Sequence, residues 1–202
     1  VEHPVTEMIT GIDLVKEQIK VARGEKLAFK QEDLKISGHA IEVRVYAEDP
    51  SNNFLPDIGK LQTYKRPGGN GVRVDDGYEE GMEIPIYYDP MISKLVVHAS
   101  DREMAIQRIL RAISEYQIIG VKTTLDFCRF VFKHDAFTSG NFDTHFVKNH
   151  FDPSYLKEEL SSDEKEVLAL ITAIQSESNG RTRNSKAEEK SVQTAWKRNR
   201  LG

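Results

Sequence analysis

Gly38-His39-Ala40-Ile41-Glu42-Val43-Arg44-Val45-Tyr46-Ala47-Glu48-Asp49-Pro50 alternates apolar and polar side chains. In an extended chain Ile41, Val43 and Val45 share one face, and Ala40, Glu42, Arg44 and Tyr46 share the other. This period of two predicts a half-buried strand over 39–47, with one face in the core and charge on the other. Asp49–Lys60 reads as a turn-rich loop. Two shorter strands are expected at 60–66 and 72–75, joined by the turn signal Pro67-Gly68-Gly69-Asn70-Gly71. Met91–Ala99, with Ile92, Leu95, Val96 and Val97, reads as a further strand.

The flanks read as helices. Upstream, Thr6 is the expected cap of a helix over 7–22, with Glu7 in its first turn and Gly24 just past its end. Met8, Ile12, Val15, Ile19 and Ala22 recur there at helical spacing. Residues 25–37 form a connection with a short element at Asp33–Ile36. Downstream, Asp101–Tyr116 places Ala105, Ile106, Ile109, Leu110 and Ile113 on one face. Thr123 or Thr124 caps the next helix, which runs to 133, and a short helix is expected at Thr144–Asn149. Ser162–Ser176 carries one more amphipathic pattern. Helix, strands, then helices predict an α+β fold: a small, mostly antiparallel sheet packed with helices.

Composition narrows the function classes. With 202 residues and 39% hydrophobic content, the chain can build one core. No apolar run approaches the ~18 residues of a membrane span, and no amino-terminal signal pattern stands out. The single cysteine, Cys128, excludes an internal disulfide; its apolar neighbours make it a buried small hydrophobe. A reducing cytoplasm fits these features. The net charge of −4 hides a basic end, where Arg181, Arg183, Lys186, Lys190, Lys197, Arg198 and Arg200 face only Glu188 and Glu189. A solvated tail explains it without a nucleic-acid or membrane partner. His39, His98, His134, His145 and His150 lack metal-ligand spacing, and His3 reads as structural, so no metal is expected in this segment. Pro67–Gly71 has no Lys-Ser/Thr successor and no following helix, so it is not a phosphate cradle.

Three ordered blocks carry a resemblance. Val1-Glu2-His3-Pro4-Val5-Thr6-Glu7, the 38–50 stretch and Tyr87-Tyr88-Asp89-Pro90-Met91-Ile92-Ser93-Lys94-Leu95 resemble the biotin carboxylases. These are ATP-grasp enzymes that carboxylate biotin at the expense of ATP. The resemblance implies that 1–35 ends an ATP-grasp domain and that 36–150 is the biotin carboxylase C-terminal domain. Residues 151–202 match no feature of the family; their own pattern reads as a helical segment and then a mobile basic tail.

It also implies roles. Glu2 would be the general base that deprotonates bicarbonate, and the carbonate formed attacks the γ-phosphoryl of ATP to give carboxyphosphate. Val1 would bind bicarbonate through its backbone. Arg44 would contact bicarbonate and biotin and hold the biotin enolate, since a guanidinium stays charged and presents its donors as a fork. Taken alone, Glu2 is a frayed surface acid, Val1 an ordinary apolar residue and Arg44 a solvent-facing strand charge. Glu42, two residues before Arg44 on the same face, is placed to orient it. Arg73 matches a position near a homodimer interface, and Asp89, in the Tyr-Tyr-Asp block, a structural or interface position; solvated surface charge is the other reading of both. Thr124 stands where many members have Asn, a cap-for-cap exchange.

The implied cofactors are biotin on a separate carrier, with ATP and Mg2+ in a longer parent whose metal-binding carboxylates precede Val1. The segment alone is expected to bind none of them and to be inactive. The implied partners are a biotin carboxyl carrier protein or domain, a second copy of the chain and a carboxyltransferase subunit. No Ala-Met-Lys-Met biotinylation sequence occurs. The first reading is a component of the acetyl-CoA carboxylase of fatty-acid synthesis. The alternatives are the same region of a propionyl-CoA, methylcrotonyl-CoA or pyruvate carboxylase, or a non-catalytic structural and dimerisation module.

Overall fold

Two helices open the chain where the sequence predicts one. α1 (Pro4–Thr10) begins on Pro4, whose missing N–H costs nothing in the first turn. It stops at Gly11, where φ of 73° is the left-handed C-cap that glycine adopts without strain. α2 (Leu14–Ala22) starts afresh from Asp13, whose side chain accepts the Lys16 N–H at 2.8 Å. Apolar periodicity runs through both helices, but this stop and start override it. Thr6 lies inside α1 and caps nothing; its carbonyl accepts the Thr10 hydroxyl at 2.6 Å.

The computed structural model describes residues 2–85, 87–156 and 166–173. The chain forms two compact units, Val1–Lys157 and Glu158–Gly202. In the second, 166–173 is helical; the remainder of the helix expected over 162–176 and the basic tail lie outside the described residues. No helix among the described residues is long and apolar enough to cross a membrane.

After α2 come β1 (His39–Tyr46), β2 (Glu48–Asp49), β3 (Leu55–Pro56), β4 (Gly59–Lys60), β5 (Thr63–Lys65), β6 (Val72–Asp76), β7 (Glu83–Ile84) and β8 (Met91–Ala99). Then follow α3 (Arg102–Glu115), β9 (Gln117–Ile119), α4 (Leu125–Lys133), α5 (Asp135–Ser139) and α6 (Phe146–His150). The long strands make one antiparallel sheet in the order β1-β8-β6. β2–β3, β4–β7 and β5–β9 are short antiparallel pairs. The strand expected at 60–66 splits because the chain changes partner within it. The Leu61 N–H donates to Met82 and the Gln62 N–H to Ile119.

Side-chain alternation gives the sheet two different faces. Inside, Ile41, Val43 and Val45 stand beside Val97, Leu95 and Ser93 of β8, and these beside Val72, Val74 and Asp76 of β6. α3 packs against β8 and β1, with Ala105, Ile109 and Ala112 fully buried. It is capped by the Asp101 carboxylate, which accepts the Met104 N–H at 2.9 Å. Polar groups in this core are paired. Ser93 Oγ meets the Tyr116 hydroxyl at 2.8 Å, which meets the Tyr64 hydroxyl at 2.6 Å, which donates to Asp76 Oδ2 at 2.9 Å. Burial raises the pKa of both tyrosines. On the outer face lie Glu42 and Arg44 of β1, Lys94 and Val96 of β8, and Arg73 and Asp75 of β6. α1 lies across β1 and β8, and Val96 on that face is fully buried.

Candidate active site

Arg44 projects from the outer face of β1 at a point where the strand is held from both sides. β8 pairs with one edge, with a register shift between Val45 and Tyr46. At the other edge the Tyr46 N–H donates to Thr124 Oγ1 at 3.1 Å, and the Thr124 N–H donates to the Tyr46 carbonyl at 3.1 Å. Thr124 precedes α4 as expected, yet its side chain makes no cap bond. Its hydroxyl serves β1, donating also to the Arg44 carbonyl at 3.3 Å.

Because α1 lies over the outer face, the chain leading into it passes Arg44, and Glu2, two residues before the helix, reaches the guanidinium. Arg44 Nη2 forms an ion pair with Glu2 Oε1, so the structure brings together the two side chains singled out in the sequence. Arg44 Nε stands 3.8 Å from Glu42 Oε1. The three differ in exposure: the Glu2 side chain is 69% exposed, Arg44 42% and Glu42 10%. Glu42 is therefore the fixed member and Glu2 the one open to solvent. A guanidinium whose Nη1 has no partner among the described residues, beside an accessible carboxylate, can hold an oxyanion while that carboxylate accepts a proton from the same small acid.

A second charged cluster braces α1. Arg73 grips Asp75 through Nε at 2.8 Å and Nη2 at 2.7 Å, and donates through Nη1 to Glu7 Oε2 at 2.8 Å. The other Glu7 oxygen accepts the Leu14 N–H at 2.9 Å, linking β6 to the α1–α2 junction. Asp75 and then Glu7 raise the Arg73 pKa further above its ordinary value. The sequence showed Glu7 only as a first-turn acid; its partner lies far along the chain, and no local pattern signals the contact.

The remaining candidates lie apart. Val1 is outside the described residues. Asp89 is exposed before β8 and accepts the Met91 N–H at 3.0 Å. Burial, and then the Asp89 charge, raise the pKa of Glu48. His3 is half-buried and lines a cleft of about 650 Å³ with Glu7, Met8, Ile12 and Arg73. Along α2 and just beyond it, Val15, Ile19, Val21 and Leu27 are about half exposed. Among the described residues no group of three or more His, Cys, Asp and Glu side chains could hold a metal ion.

A family model described as the biotin carboxylase C-terminal domain matches residues 42–149, more than half of the chain. The chain belongs to this family. A model of the carbamoyl-phosphate synthase L chain ATP-binding domain matches residues 1–30. A pyruvate carboxylase subunit of Methanothermobacter thermautotrophicus is 55% identical over 150 residues, covering 74% of this chain and 30% of that protein. Biotin carboxylase 1 of Bacillus subtilis is 51% identical over 150 residues, covering 74% and 33%. Among solved structures, the Hydrogenobacter thermophilus 2-oxoglutarate carboxylase biotin carboxylase domain dimer, in complex with MgADP, ADP and bicarbonate, is 44% identical. It superposes with a TM-score of 0.75 over 79% of this chain and 35% of that one. The chain thus spans about a third of the length of the relatives it matches.

Proposed function

We propose that this chain is the carboxyl-terminal part of an ATP-dependent biotin carboxylase, a C–N ligase that carboxylates carrier-borne biotin with bicarbonate. The observation that supports this most directly is the Glu2–Arg44 contact at the outer face of β1. Glu2 takes the proton of bicarbonate, and Arg44 holds the negative oxygen so produced. Arg44 then offers the same donors to the ureido oxygen of biotin as charge develops there. The exposed guanidinium fits that ligand: its Nη1 group has no hydrogen-bond or ion-pair partner among the described residues. The residues matching an ATP-binding domain are only 1–30, and no candidate metal cluster occurs among those described. We propose that the ATP and Mg2+ sites belong to the rest of a longer carboxylase.

The reading extends to partners: a biotin carrier, a carboxyltransferase and a second copy of the chain, in the cytoplasm. The dimeric Hydrogenobacter domain supports the second copy. We retain Arg73 and Asp89 as proposed neighbours of that interface, with Arg73 held by Glu7 and Asp75 of its own chain. The acceptor is left open among pyruvate, 2-oxoglutarate and acyl-CoA types. Nothing in these relatives singles out acetyl-CoA or fatty-acid synthesis.

Glu2→Gln in the full-length carboxylase tests the reading. Glutamine keeps the shape and removes the base, so bicarbonate-dependent ATP cleavage should fall on the order of 10²–10⁴-fold with an unchanged melting temperature. Normal cleavage in this variant would exclude the role.

A further inference from the structure

We propose that Glu42 is the positioning residue that keeps Arg44 aimed at the reacting groups while Glu2 handles the proton. The inference rests on the role of Arg44 given above. The Arg44 guanidinium is approached by two carboxylates, Glu2 at Nη2 and Glu42 at Nε. These two nitrogens form one edge of the guanidinium, so neither carboxylate engages Nη1. If Glu2 alone held Arg44, each proton transfer that draws Glu2 toward bicarbonate would also release the guanidinium. A second anchor separates the two tasks.

Glu42 suits that task for three reasons. First, its side chain is 10% exposed, against 69% for Glu2, so it has far less freedom to follow the substrate. Second, a tighter form of this pairing occurs on the same face of the sheet: Asp75, two residues from Arg73 along β6, grips that arginine with hydrogen bonds of 2.8 and 2.7 Å, where the Glu42–Arg44 contact is a 3.8 Å ion pair. Glu42 and Arg44 have the same spacing on β1, with the carboxylate on the amino-terminal side. Third, Lys94 is the cross-strand partner of Arg44 on β8. Paired positions hold Cβ atoms about 4.5–5.5 Å apart, and like charges there repel. An anion fixed on β1 opposes that push and keeps the guanidinium over its own strand.

The test compares Glu42→Gln, Glu42→Asp and Arg44→Ala in the full-length carboxylase, reading kcat and KM for free biotin and for ATP separately. Glutamine preserves volume and removes the charge; aspartate keeps the charge but draws it back from Nε. Misplacing a stabilising group by about 1 Å can cost on the order of 10²-fold. We expect Glu42→Gln to lower kcat/KM for biotin by roughly 10–100-fold, with KM for ATP unchanged and Glu42→Asp intermediate. A purely structural role would move both KM values together or lower the melting temperature, and either result overturns the proposal. Biotin kinetics unchanged in both Glu42 variants, beside an inactive Arg44→Ala, overturns it too. An active Arg44→Ala defeats the underlying functional reading instead, so the two failures are distinguishable.

Discussion

Thr124→Val isolates one hydroxyl at the edge of the strand that carries Arg44. Threonine and valine have nearly the same shape, and Thr124 is 6% exposed, so the substitution opens no cavity and changes little apolar packing. What it removes is the acceptor of the Tyr46 N–H at 3.1 Å and the donor to the Arg44 carbonyl at 3.3 Å. A buried N–H left without a partner costs about 1–3 kcal/mol. The carbonyl adds little, because its bond is long and it has a second lone pair. A loss of about 2 kcal/mol lowers the melting temperature of a chain this size by roughly 4–8 °C. Thr124→Ser keeps the hydroxyl and should lose only about 0.8 kcal/mol, the value of one buried methyl-sized group. Calorimetry of the three proteins gives the magnitudes, and amide exchange at Tyr46 gives the location. Thr124→Val as stable as the parent, with Tyr46 exchange unchanged, would show that the hydroxyl does not hold this strand edge.

Two further outcomes concern pH and reactivity. The Met104 N–H, with the Ser100 hydroxyl, holds the Asp101 carboxyl below its ordinary value of 3.8, so its stabilising effect is present above that pH and lost as pH falls through the depressed value. Asp101→Asn should therefore flatten the loss of stability below about pH 4 in denaturant titrations, and an unchanged acid slope would contradict the assignment. Cys128 is only partly covered, but burial of the thiol pushes its pKa up to about 12, so at neutral pH it should be alkylated much more slowly than a free thiol. Labelling of Cys128 in the native state at the rate of a free thiol would contradict its burial.

Regular, long segments were legible from pattern alone. The strand expected at 39–47 is His39–Tyr46, that at Met91–Ala99 matches residue for residue, and the helix expected at Asp101–Tyr116 is Arg102–Glu115. In each, one period persists long enough to outweigh the identity of any single residue. Elsewhere local chemistry prevailed. Gly11 and Asp13 divide a helix whose apolar stripe continues through the break. Leu61 and Gln62 change partners inside what reads as one strand. Thr124 has a capping residue's identity and position, but the unpaired edge of β1 takes its hydroxyl. The site was legible in a different way. Pattern marked Arg44 as a strand charge and Glu2 as a terminal acid, and only the resemblance gave them chemistry. Their contact depends on α1 crossing the sheet, which no local sequence feature encodes. The Glu7–Arg73–Asp75 clamp behind them was missed for the same reason.

If Arg44 stabilises negative charge on the reacting groups, biotin carboxylation by the full-length carboxylase must depend on its guanidinium, and Arg44→Ala beside Arg44→Lys measures that dependence. Removing one such stabiliser costs about 2.7–4 kcal/mol, on the order of 10²–10³ in rate. That loss is expected in Arg44→Ala with KM for ATP nearly unchanged, and only partial recovery in Arg44→Lys, whose point charge cannot reproduce the fork. Turnover of Arg44→Ala at the parent rate would contradict the role given to this residue.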